Sequence, residues 1–127
     1  MTVIYDKVAV IGMGLIGASI ALAARRGGLA TTIIGSDQSP EVATAVARLQ
    51  LVDSFEADAV HAVADADLVI LAVPVGAVGK IAEQIVPHMK SGAVLTDTGS
   101  TKRSVVRDVA PHLRDDIIWL PSHPLAG

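Results

Sequence analysis

Gly12-Met13-Gly14-Leu15-Ile16-Gly17 carries the G-x-G-x-x-G spacing, in which each glycine has a separate task. Gly12 permits a tight turn, Gly14 lets the backbone come close to a bulky anion, and Gly17 lets a helix pack closely on a strand. The hexapeptide follows the apolar run Val8-Ala9-Val10-Ile11 and opens an amphipathic stretch from Leu15 to Arg26. A strand therefore feeds a helix whose free N–H groups and partial positive charge face the anion, which is the chemistry of binding a pyrophosphate. Asp37 stands 20 residues beyond Gly17, at the end of the next apolar run. A carboxylate there accepts hydrogen bonds from the hydroxyls of an adenosine ribose. Before Ser39-Pro40 it also suits a turn. Loop and carboxylate together predict a dinucleotide site, with Met13, Leu15 and Ile16 completing the loop. Asp37 repels a 2′-phosphate, Gln38 is uncharged, and the nearest downstream cation is Arg48. NAD is therefore expected in preference to NADP.

Three more segments are expected beyond the carboxyl ends of strands, where open α/β sheets bind their ligands. In Val73-Pro74-Val75, Pro74 stops a strand, and Val73 and Pro74 are expected to line the nicotinamide side. In Asp97-Thr98-Gly99-Ser100-Thr101-Lys102, Ser100 or Thr101 suits a helix cap and equally a hydroxyl facing a ligand. In Ser122-His123-Pro124-Leu125-Ala126-Gly127, His123 stands at a strand's end, pinned by Pro124. A neutral imidazole is the usual general base near pH 7, although a lone histidine is as often structural. His61, His88 and His112 fall on helix faces or ends and are assigned no role. The chain has no cysteine. That excludes disulfides, a thiolate nucleophile and cysteine-based metal sites, and it suits a reducing cytoplasm. No metal site is expected.

The elements that must hold these residues alternate. Short apolar runs at 8–11, 32–35, 68–73, 93–96 and 117–120 read as strands, with a further short strand at 52–56. Helices fill the intervals: Leu15 to Arg26, Pro40 to Leu49 capped by Ser39, a short one at 57–64, one striped by Val78, Ile81, Ala82 and Ile85, and one striped by Val105, Val106, Val109 and Leu113. This alternation predicts an α/β fold: a Rossmann-type doubly wound parallel sheet with helices on both faces. Its 127 residues make one dinucleotide-binding domain, with no repeat or internal linker. The composition agrees: 51% hydrophobic residues but only 2% aromatics, so the apolar mass is aliphatic, as in buried parallel strands and Ala-rich helices. A net charge of −3 and the scarcity of aromatics argue against a nucleic-acid partner. The uncharged stretch between Lys7 and Arg25 is short for a membrane span, which needs about 20 apolar residues, and it holds three glycines. No membrane partner is expected.

Three segments together resemble the N-terminal nucleotide-binding domain of prephenate/arogenate dehydrogenases: Gly12 to Ser19, Asp97-Thr98-Gly99-Ser100-Thr101-Lys102, and His123-Pro124-Leu125-Ala126-Gly127. The first is shared by many Rossmann dehydrogenases. The D-x-G-S-x-K and H-P-x-A-G pair is much more specific. The resemblance implies NAD(P)-dependent oxidative decarboxylation of prephenate or arogenate, giving 4-hydroxyphenylpyruvate or tyrosine. It implies that His123 is the base for the ring hydroxyl and that Ser100 orients that hydroxyl or the imidazole. Members of the family continue into a helical domain that forms a homodimer and supplies an arginine for a substrate carboxylate. By that resemblance the chain reads as a fragment carrying the cofactor half of the site. Two other readings stand beside this one. One is a Rossmann dehydrogenase of the β-hydroxyacid or imine reductase type, against which the specific pair argues. The other is a dinucleotide-binding module without chemistry.

Overall fold

The computed structural model describes residues 5–98 and 102–121. Six strands and five helices alternate: β1 (Tyr5–Ile11), α1 (Leu15–Arg26), β2 (Ala30–Ser36), α2 (Pro40–Leu49), β3 (Ser54–Glu56), α3 (Ala59–Val63), β4 (Leu68–Leu71), α4 (Val75–Ile85), β5 (Val94–Asp97), α5 (Lys102–Val109) and β6 (Ile118–Leu120). Every described pairing is parallel, in the order β3-β2-β1-β4-β5-β6. The chain leaves β1 towards one edge and returns on its other side at β4, so the strand order reverses between β1 and β4. That reversal opens a crevice at the carboxyl ends of these strands. The predicted Rossmann-type sheet is thus the observed one.

Burial on both faces explains the uninterrupted apolar strands. In β1, Val8 and Val10 point into a core built with α1 and α2, while Ala9 and Ile11 point into a second core built with α3, α4 and α5. All four are essentially inaccessible to water. Helix α1 comes close to the sheet because the residues it buries are small: Gly17, Ala21 and Ala24. Helix α2 begins as its sequence requires, with Ser39 as N-cap accepting the Val42 N–H and Pro40 in the first turn.

Most element boundaries shift by one to four residues from expectation, and two of these shifts bear on the site. The fourth strand stops at Leu71 rather than Val73. Its neighbours end there too, since Leu71 is level with Ile11 on β1 and with Asp97 on β5. Pro74 then serves as the N-cap residue of α4, and the intervening Ala72 and Val73 turn up into the crevice. The short third helix spans Ala59–Val63 rather than 57–64, because the Asp58 carboxylate caps it by accepting the Val60 N–H at 2.9 Å.

At the opposite end of the sheet, Asp67 ties three elements together. Its carboxylate accepts the N–H groups of Asp6 and Lys7, each at 3.0 Å, and pairs with Lys90. The Lys90 contact first, then the Lys7 N–H, holds the Asp67 carboxyl below the usual carboxylate range. A native pKa below the unfolded one stabilises the fold above the ordinary carboxylate range and is lost as pH falls through the native value. Asp67→Ala is therefore expected to cost about 1–2 kcal/mol at pH 7, the screened Lys90 contact adding little. In urea denaturation the difference from the unsubstituted chain should narrow below about pH 4. A difference that stays constant down to pH 2 contradicts this role.

Candidate dinucleotide-binding site

The crevice is a cleft of about 650 Å³, within the range of small-molecule sites. One wall is the glycine loop between β1 and α1. Gly12 has a φ of +95°, which favours glycine, and its N–H donates to the Ser36 carbonyl at 2.7 Å. A Cβ at Gly12 would meet the Ala72 carbonyl carbon at 2.9 Å, so the turn after β4 leaves no room for one. A Cβ at Gly17 would fall on the Gly12 carbonyl oxygen. A Cβ at Gly14 would meet nothing within 4 Å. The three glycines thus serve three purposes: a left-handed turn, open space, and helix-to-loop contact.

Asp37 links this loop to the end of β2. One carboxylate oxygen accepts the Met13 N–H at 2.8 Å and the other accepts the Ser39 N–H at 2.9 Å. The turn role foreseen for Asp37 is present, and the same bonds hold the carboxylate against the glycine loop. Each oxygen keeps acceptor capacity for a further donor.

The structure brings Gly12, Gly14, Asp37, Val73 and Pro74 together along the cleft. Met13, Leu15, Ile16 and Gly17 shape the loop but do not line it. Met13 is buried in the core with α1 and α2, next to Gly35, and gives the site only its N–H. Leu15 and Ile16 point largely to solvent, at 86% and 58% exposure. Asp97 is fully buried at the end of β5, and the Thr98 N–H donates to the Leu71 carbonyl at 3.1 Å. This anchors the start of the D-x-G-S-x-K segment at the crevice. Ser100 and His123 lie outside the described residues. Among the described residues no group of acidic or histidine side chains could hold a metal ion, and no helix is long and apolar enough to cross a membrane.

Sequence reasoning used Gln38 only as an uncharged neighbour of Asp37 and missed the rest of the cleft lining. Gln38 continues from Asp37, Ala57 and Asp58 come from the β3–α3 connection, and Ile81 and Gln84 lie on α4. The signal was available, because the strand-end rule applied to β4, β5 and β6 applies equally to β3.

These residues fit a dinucleotide. The open space over Gly14 lies at the N-terminus of α1, where the first-turn N–H groups have no intrahelical partners. The same cleft is lined by Asp37, Ala57, Ala59 and Ile81.

Over residues 20–127 the chain matches the family model described as prephenate dehydrogenase, nucleotide-binding domain. It is 40% identical to the cyclohexadienyl dehydrogenase of Zymomonas mobilis over 124 residues, covering 98% of this chain and 42% of that protein. Two solved structures superpose on almost all of it. One is prephenate dehydrogenase from A. aeolicus in complex with hydroxyphenyl propionate and NAD+, with a TM-score of 0.84, 29% identity, and coverage of 96% of this chain and 42% of that one. The other is Synechocystis arogenate dehydrogenase, with a TM-score of 0.83, 29% identity, and coverage of 95% and 41%. The chain thus spans about two-fifths of the length of these relatives. Matched in sequence over residues 20–127 and in fold over nearly its whole length, the chain belongs to the prephenate dehydrogenase family, within its nucleotide-binding domain.

Proposed function

We propose that this chain is the NAD-binding part of an enzyme that oxidatively decarboxylates prephenate or arogenate to 4-hydroxyphenylpyruvate or tyrosine. The observation that carries the reading is the junction of glycine loop and acidic strand end. The Asp37 carboxylate is fixed by Met13 and Ser39 beside the open space over Gly14. In that position Asp37 accepts the adenosine ribose hydroxyls while the first turn of α1 binds the pyrophosphate. NAD, when bound, supplies the acceptor for the hydride that leaves the ring carbon bearing the hydroxyl. His123 accepts the hydrogen bond and then the proton of that hydroxyl, and Ser100 orients it or the imidazole. Val73 and Pro74 line the nicotinamide side. In the complete enzyme a helical domain supplies the homodimer contact and an arginine for a substrate carboxylate, and the enzyme works in the cytoplasm.

Titration calorimetry with both cofactors tests the reading. NAD should bind more tightly than NADP. Asp37→Ser should weaken NAD and relax the discrimination, each lost charge-assisted hydrogen bond costing at most about 1.5–3 kcal/mol. Tighter binding of NADP by the unsubstituted chain overturns the assignment of Asp37.

A further inference from the structure

We propose that Asp58 is a second selector at the ribose end of the cleft, excluding a 2′-phosphorylated dinucleotide by its charge. This rests on the reading of the cleft as the NAD site, and it adds a residue that the glycine loop and Asp37 do not include.

The register of the sheet puts Asp37 and Asp58 just beyond the carboxyl ends of adjacent strands. Ser36 on β2 is level with Glu56 on β3, and neighbouring strands lie about 4.8 Å apart. Asp37 is the first residue past that pair on its strand, and Asp58 the second past it on the next. Both line the cleft. The Asp58 carboxylate is not free to swing away, because one of its oxygens accepts the Val60 N–H at 2.9 Å as the cap of α3. The described residues lining the cleft include no lysine, arginine or histidine. Arg25, the first of two cations that follow the glycine loop on α1, is paired with Asp53 at 3.2 Å, and neither it nor Arg26 lines the cleft. A 2′-phosphate in this cleft would therefore meet the field of both carboxylates with no counter-charge from the described lining. Asp37 acts at contact range, by accepting ribose hydroxyls. Asp58, exposed and one strand further out, acts through space, so its effect must be screened by salt.

Asp58→Asn tests this, because asparagine caps a helix as well as aspartate and removes only the charge. Binding of NAD and NADP is measured by calorimetry for the unsubstituted chain, Asp58→Asn and Asp37→Asn, at about 0.05 M and 0.5 M salt. At low salt, Asp58→Asn is expected to shift the NADP-to-NAD affinity ratio towards NADP by about three- to tenfold. At high salt that shift should largely vanish, whereas the shift from Asp37→Asn should persist. A purely capping role moves neither the ratio nor its salt dependence. An unchanged ratio in Asp58→Asn, with normal NAD binding by the unsubstituted chain, overturns the proposal alone. Failure of the unsubstituted chain to bind either dinucleotide overturns the reading of the cleft and the proposal with it.

Discussion

Replacing His123 by asparagine, in an enzyme of the relatives' full length, is expected to lower turnover about 10²–10⁴-fold. Asparagine has a similar size and still donates a hydrogen bond, but it cannot take a proton near neutral pH. The loss should appear in kcat, while NAD affinity stays close to its original value. On the proposed reading the pyrophosphate and ribose contacts lie at the 12–17 loop after β1 and at Asp37 after β2. The activity–pH profile should also lose its acidic limb, which for a histidine falls near pH 6–7. Ser100→Ala should be milder, since it removes one orienting hydrogen bond and leaves the base. A His123→Asn enzyme with near-normal turnover and an unchanged profile returns His123 to a structural role.

Gly17→Ala is expected to damage folding and binding together. The added methyl would fall on the Gly12 carbonyl oxygen and within 2.9 Å of its carbon, and both are backbone atoms that cannot rotate away. Either α1 must lift from the sheet or the turn at Gly12 must open. Overpacking of this kind costs about 1–3 kcal/mol, sometimes more. On the proposed reading, lifting α1 also takes its first-turn N–H groups away from the pyrophosphate. Losing two hydrogen bonds to a charged group would weaken NAD by about 3–6 kcal/mol, more than a hundredfold in Kd. Gly14→Ala separates the two effects. Its methyl meets nothing within 4 Å in the protein, so thermal stability should fall only slightly, by the loss of a glycine cap. NAD binding should still collapse, because the methyl occupies the space over the loop. Normal NAD binding by Gly14→Ala would show that the pyrophosphate lies elsewhere.

The glycine loop was legible in the sequence because its logic is local: six residues, the strand before them and the helix after them carry the whole argument. The order of elements was legible for the same reason, since the central strands β1, β2 and β4 carry runs buried on both faces that read as apolar. The end of β4 was not. Val73 is as apolar as Val69, and what stops the strand is the matching end of β1 and β5 on either side, which only the register contains. Asp58 was missed because α3 is only five residues long and its capping residue reads as an ordinary loop aspartate. Its place beyond the strand end next to that of Asp37 follows from the Ser36–Glu56 pairing. Ser100 and His123 rest on the resemblance, because spacing along a chain does not state whether the ends of two different strands face one substrate.

The reversal of strand order between β1 and β4 also governs how the chain emerges during synthesis. β1 pairs with β2 soon after it is made, but its other edge waits for β4, whose flanking Asp67 is 60 residues away from its Lys7 partner. Until then β1, apolar from Val8 to Ile11, presents a bare row of N–H and C=O groups, open to pairing with another nascent chain. The closure is non-local, and loop entropy makes such pairing slow. Termination before Leu71, or a ribosomal pause there, would therefore leave an aggregation-prone edge rather than a smaller version of the domain. Clearance of such products by chaperones or proteases is the cost of placing the cofactor crevice at the centre of the sheet.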